Sequence, residues 1–210
     1  MPASRPPIVL ASGSPQRKAL LERLGVPFTV RATDAEEIEQ GEDPAQVAVE
    51  NALRKARAAS LAGDGRPELV IGCDTIVVLD GVIYGKPPDV DAARRTLSAL
   101  GGRTHEVISG LAVLAPGQAA ADVPGRPAGP GGRAALVERT AVERTRVSFR
   151  AIDSELLDWY VATEEWRGRS GGYAIQGAGS KLALAVEGEE ENVVGLPVRA
   201  LLALCPELLG

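Results

Sequence analysis

Aromatic residues make up only 3% of this 210-residue chain, which carries one histidine, two cysteines and four lysines against nineteen arginines. Each scarcity excludes something. With so few aromatics and a net charge of -5, the chain lacks the basic stripe and stacking platforms of a nucleic-acid surface, so no nucleic-acid partner is expected. A single histidine, His105, argues against the usual multi-histidine zinc site and makes any Ser-His-Asp triad depend on that one ring. Acid–base work then falls to carboxylates. Cys73, in an apolar run, and Cys205, near the C-terminus, lack metal-ligand spacing and read as buried free thiols rather than a bridge. No apolar run is long enough to span a bilayer, and the N-terminus lacks the apolar core of a secretory signal, so a cytoplasmic protein with no membrane partner is expected.

What is present is a 45% hydrophobic chain, enough for one well-cored domain or two joined lobes. Ile8-Val9-Leu10 predicts a strand, and a helix capped by Ser14 with Pro15 in its first turn runs on towards Gly25. A short strand follows at Phe28–Val30. Asp43-Pro44 opens a long helix whose apolar stripe is Ala45, Ala48, Val49, Ala52, Leu53 and Ala56. Lys55 lies about 90° from the centre of that stripe, where a long side chain follows the core edge and emerges into a cleft. Leu69 to Leu79 predicts a buried strand, Asp80-Gly81 a hairpin turn and Val82–Tyr84 the return. A helix from Asp89 to Leu100, strands over 106–114 and 137–149, a helix capped by Asp153, a strand over 182–186 and a helix from Pro197 complete the pattern. Residues 116–133, rich in Pro, Gly and Ala, predict a mobile insertion between two strands. Long strands, a hairpin and interspersed helices imply an α/β protein with a mixed sheet, unlike the regular alternation of a doubly wound fold.

Five features carry chemistry. The turn Ala11-Ser12-Gly13-Ser14-Pro15-Gln16-Arg17 places two hydroxyls and a guanidinium at a helix start, where free N–H groups and the positive end of the dipole suit phosphate; an ordinary strand-to-helix turn has the same outline. Asp74 interrupts a run otherwise suited to burial, so it needs a cation, a metal or a reaction, unless a bulge carries it to solvent. Glu36 and Glu37 could complete a divalent-metal site with it, or belong to a solvated acidic loop. Lys55 and Lys86 put two of the four lysines beside these segments as point charges for phosphate. Finally, in the loop Gly168 to Gly177, positive φ accounts for Gly171, Gly172 and Gly177, while the amide of Gln176 is either a core-edge group or a reader of a base edge.

In combination, Leu10 to Arg17, Arg54-Lys55-Ala56, Gly72 to Val77, Gly85-Lys86-Pro87, Gly172 to Gly177 and Val193-Val194-Gly195-Leu196-Pro197 resemble the Maf family of nucleoside triphosphate pyrophosphatases. The resemblance spans nearly the whole chain and implies a single domain over 1–210. Its expected fold is two-lobed and Maf/Ham1-like (ITPase-like), an elongated mixed β-sheet with flanking helices and a central cleft. It implies that Asp74 accepts a proton, that Lys55, Lys86 and Arg17 hold phosphates with Ser12 and Ser14, and that Glu37 and Asp74 bind a divalent cation, Mg²⁺ or Mn²⁺. Arg17, Thr75 and Gln176 are similar to the specificity set of the dTTP/UTP branch. A homodimer is implied as well. Two departures stand out: Gln16 where the family often has a second arginine, and Arg169 where it often has a lysine. Broad or modified-nucleotide specificity, and a non-catalytic nucleotide-binding regulator of septum formation, are the alternatives.

Overall fold

The computed structural model describes residues 6–117 and 136–209. Among the described residues there are seven strands and six α-helices: β1 (Ile8–Leu10), α1 (Pro15–Glu22), β2 (Phe28–Val30), α2 (Pro44–Leu61), β3 (Leu69–Leu79), β4 (Val82–Tyr84), α3 (Val90–Leu100), β5 (Thr104–Pro116), β6 (Leu136–Phe149), α4 (Ser154–Ala162), β7 (Ala183–Glu187), α5 (Glu190–Val194) and α6 (Val198–Leu204). No helix among them is long and apolar enough to cross a membrane. The expected insertion at 116–133 lies, beyond Gly117, outside the described residues; Pro116 itself closes β5, paired with Leu136. The five-residue α5 escaped the sequence reading because it is too short to show a helical period, and Pro197 caps α6 rather than starting it.

The strands form one mixed sheet in the order β2-β1-β3-β5-β6-β7, with β4 also on β3. β1 and β2 run parallel to their neighbours, and the remaining pairs are antiparallel. The long strand β3 organises the molecule. On one edge it pairs with β5 without interruption from Val70 to Val78. On the other, β1 covers Leu69–Ile71 and β4 covers Val77–Leu79, which leaves the middle of that edge without a neighbouring strand among the described residues. Asp74 and Thr75 sit in that gap, on regular strand and without the bulge that would have carried Asp74 to solvent.

Strand alternation then divides the core. On one face of the sheet Leu69, Ile71, Cys73, Leu111 and Val113 join a cluster with α1 and α6, whereas Val77, Leu79, Val107 and Phe149 join another with α3 and α4. Between these two lobes lie Thr75 and its cross-strand partner Ser109. The opposite face is covered by α2 through Ala48, Ala52 and Ala56, all fully buried. That helix packs unusually close, because a Cβ on Gly72 would fall 2.2 Å from the Ala52 carbonyl oxygen and one on Gly110 2.3 Å from the Ala48 carbonyl. Lys55 is buried along the edge of that helix–sheet contact, and its side chain reaches the cleft.

His105 takes no part in the cleft. It is buried between Phe149 and Tyr173 in edge-to-face contacts of 4.8 and 5.5 Å, and shares a 2.9 Å hydrogen bond with the Tyr173 hydroxyl. Burial lowers its pKa to about 4. An unfolded histidine near 6.5 binds protons more readily than this one, so stability is full above pH 6.5 and is lost as pH falls towards 4. By pH 5 the loss should reach about 2 kcal/mol, at ~1.4 kcal/mol per pH unit. Urea unfolding of wild type and His105→Phe at pH 7 and pH 5 checks this: the wild type should weaken between the two, and the variant should not. Equal wild-type stability at both values would contradict a neutral buried ring.

Candidate active site

All nine candidate residues, Ser12, Ser14, Arg17, Glu37, Lys55, Asp74, Thr75, Lys86 and Gln176, line one cleft of about 710 Å³ over the open edge of β3. They reach it from both faces of the sheet. Glu36 is not in the lining, and Lys18 sits on the surface of α1 near Glu22.

On the α2 face, Asp74 is 4% exposed. Its Oδ1 lies 2.5 Å from the Lys55 ammonium, and its Oδ2 accepts from Asn51 Nδ2 at 3.1 Å. Lys55 also contacts Glu37 Oε1 at 2.8 Å, and Lys86 approaches the same oxygen at 3.5 Å. Burial pushes the Asp74 carboxyl up, but Lys55, with Arg17 and Asn51, outweighs it and holds the group below the ordinary carboxylate range. Glu37 is lowered in the same way: burial opposes ionisation and the Lys55 contact overcomes it. Both groups are carboxylates at neutral pH, turned on one ammonium.

On the opposite face Arg17 is held at three points. Its Nε donates to the Gly195 carbonyl at 2.8 Å, Nη1 to Ser12 Oγ at 3.1 Å and Nη2 to Thr75 Oγ1 at 3.2 Å. The Thr75 hydroxyl also meets Ser109 Oγ at 2.8 Å and the Gly195 carbonyl at 3.3 Å, so its capacity is taken up in seating Arg17. Ser12 Oγ accepts from Arg17 at 3.1 Å and from the Ser14 amide at 3.2 Å, and among the described residues its O–H has no acceptor. Ser14 caps α1 by accepting from the Arg17 amide and donates to Gln16 Oε1 at 3.0 Å. The residue that replaces a second arginine thus serves the cap.

The glycine loop closes the cleft. Ser170 Oγ donates to the Thr75 carbonyl at 2.7 Å, the Gly171 amide to Gly85, and the Ala174 amide to Tyr160. Gly171 and Gly172 have φ of +69, as expected, whereas Gly177 does not. The Glu165 carboxylate stands close to Gly177, where a Cβ would lie 2.4 Å from its Oε1 and would require that side chain to shift. Gln176 is exposed and donates through Nε2 to Glu190 Oε1 at 3.2 Å. A carboxylate only accepts, so the amide turns its NH₂ to Glu190 and leaves Oε1 for a ligand.

Asn51, Ser109, Glu190 and the Gly195 carbonyl were not picked out from sequence. Asn51 had a signal: it stands one turn before Lys55, a polar pair at i, i+4 beside an alanine stripe. Gly195 lay inside the stretch Val193–Pro197, but a backbone oxygen that accepts from Arg17, Thr75 and Cys73 Sγ, the last at 3.2 Å, has no side-chain signature.

A cleft edged by Arg17, Lys55 and Lys86 over a buried aspartate agrees with the order of motifs along the chain. The Maf-like protein family model matches residues 7–208. This chain belongs to the Maf family. Among its relatives, a dTTP/UTP pyrophosphatase of Anaeromyxobacter sp. (strain Fw109-5) is 44% identical over 191 residues, covering 91% of this chain and 84% of that one. A dTTP/UTP pyrophosphatase of Pyrococcus furiosus is 36% identical over 197 residues, 94% and 93% of the two chains. A solved structure of the Staphylococcus aureus Ham1 protein aligns more loosely, with a TM-score of 0.40 and 18% identity over 67% of this chain and 71% of that one.

Proposed function

We propose that this Maf protein is a nucleoside triphosphate pyrophosphatase that hydrolyses dTTP and UTP to the monophosphate and pyrophosphate. The observation that carries the reading is the buried Asp74 carboxylate, held between Lys55 and Asn51 at the floor of a cleft whose rim supplies Arg17, Lys86 and the Ser12 hydroxyl. Three cations and a hydroxyl donor suit a triphosphate, and its negative charge competes with Asp74 and Glu37 for Lys55 and Lys86. As the phosphates draw those ammonium groups, Asp74 becomes more basic and can take a proton from a water aligned for in-line attack. Arg17, kept rigid by Gly195, Ser12 and Thr75, meets the developing charge without reorganising. No covalent intermediate is needed.

The donor set fits a divalent cation. Among the described residues no three His, Cys, Asp or Glu side chains converge to hold a metal. Asp74 and Glu37 offer two carboxylates towards one point, the number that Mg²⁺ or Mn²⁺ takes when phosphate oxygens and water complete its shell. When bound, the ion would offset phosphate charge.

Specificity rests on Gln176. Its outward Oε1 suits the N3–H of uracil or thymine, while Thr75 contributes through the placement of Arg17. Adenine and guanine are larger and present other donor patterns to that acceptor. A pyrophosphate-release assay with product analysis over the common triphosphates tests both levels. dTTP and UTP should turn over faster than ATP or GTP, and Gln176→Glu should erode that preference more than it slows its best remaining substrate. Equal turnover of all four would refute the pyrimidine preference; no release from any would refute the enzyme.

A further inference from the structure

We infer that Asn51 is a positioning residue that sets the acidic loop and Asp74 against each other. Its side chain is 2% exposed and makes three hydrogen bonds. Oδ1 accepts from the Ile38 amide at 2.7 Å, and Nδ2 donates to the Ile38 carbonyl at 2.9 Å and to Asp74 Oδ2 at 3.1 Å.

The pair of bonds to Ile38 reproduces a strand-like exchange between a side-chain amide and a backbone that belongs to no strand. Ile38 follows Glu37 directly, so the anchor fixes where the Glu37 carboxylate stands. The Ile38 side chain packs against the apolar cluster that includes Ala45, Val47, Ile76 and Ile83, but apolar contact is non-directional and does not set the loop's register. The third bond holds one Asp74 oxygen while Lys55, a turn later on α2, holds the other. One helix thereby orients both oxygens of the buried carboxylate and, through Ile38, the second carboxylate of the cleft.

Asparagine suits this task for a chemical reason. One acceptor and two donors are required in a fixed plane; aspartate has no donor at neutral pH, and serine has only one. Groups that orient ligating or reacting side chains typically contribute 10–100-fold.

The test combines amide hydrogen exchange with kinetics. In the wild type the Ile38 amide should be strongly protected despite lying in a loop. Asn51→Ala should release that protection and lower kcat/KM by about 10–100-fold, with the loss in kcat rather than in KM. Asn51→Asp keeps an acceptor for the Ile38 N–H but replaces the donor to Asp74 with a like charge against it. Protection should therefore persist while turnover falls as it does in Asn51→Ala, a split that a general loss of structure would not produce. Fast exchange of Ile38 in the wild type, wild-type kcat in Asn51→Ala, or a loss confined to KM would overturn the inference. The kinetic arm rests on the pyrophosphatase reading. The exchange arm does not, and if the wild type released no pyrophosphate, Ile38 protection would still decide the anchor.

Discussion

Asp74→Asn should fold as the wild type does and lose about 10²–10⁴-fold in turnover, the range for removal of a general base. The substitution keeps shape and volume. Its amide oxygen can still accept from Lys55, which also retains Glu37 at 2.8 Å, so the buried cation is not left alone; the new NH₂ then faces the Asn51 amide, donor against donor, and a modest loss of stability is expected. Removal of one negative charge from the floor of the cleft also lessens repulsion of a triphosphate, so nucleotide should bind at least as tightly. Pyrophosphate release, calorimetric titration with dTTP and a thermal melt separate the three effects. Near-normal turnover would take the aspartate out of the chemistry; a collapsed melting temperature would assign it to the fold.

Lys55→Met should be damaging in a different way. It leaves the Asp74 carboxylate 4% exposed without its nearest cation, and breaking a buried ion pair from one side typically destabilises by 3–5 kcal/mol, so a deficit of about that size is expected at neutral pH. With Lys55 gone, burial loses its chief opponent and the Asp74 pKa should rise above its wild-type position. The variant's deficit relative to wild type should then shrink as pH falls through that raised value, because protonation removes the unpaired charge. Measuring the difference at each pH cancels the His105 contribution, which both proteins share. Addition of Asp74→Asn should restore most of the stability without restoring turnover. A Lys55→Met protein as stable as the wild type, with no recovery in the double variant, would mean that the 2.5 Å contact carries little of the fold.

The two variants contrast because Lys55 and Asp74 are not symmetric partners. Lys55 has two carboxylates and can lose one of them. Asp74 has one ammonium and a neutral amide, and the amide cannot replace the charge.

Much of this was legible in the chain itself. The continuous apolar run over 69–79, the Asp80-Gly81 turn and the caps at Ser14, Asp43, Asp89 and Asp153 depend on neighbours close in sequence, and each element they signal is present. The candidate residues were legible for the same reason: a charge in an apolar run, or hydroxyls at a helix start, is anomalous locally whatever it later meets. What local pattern could not decide was which partners would satisfy those groups. The gap between β1 and β4 on the edge of β3 is set by strand order, and it turns a buried aspartate into the floor of a cleft. The close approach of α2 over Gly72 and Gly110 is set by helix-on-sheet packing, and it carries Lys55 and Asn51 inward to that aspartate. The Gly195 carbonyl reaches Arg17 across 178 residues of chain, and a backbone oxygen is identical in every residue. Residue type thus determined which groups needed partners; only the tertiary structure determined who those partners are, because hydrogen bonds and ion pairs form by distance in space and not along the chain.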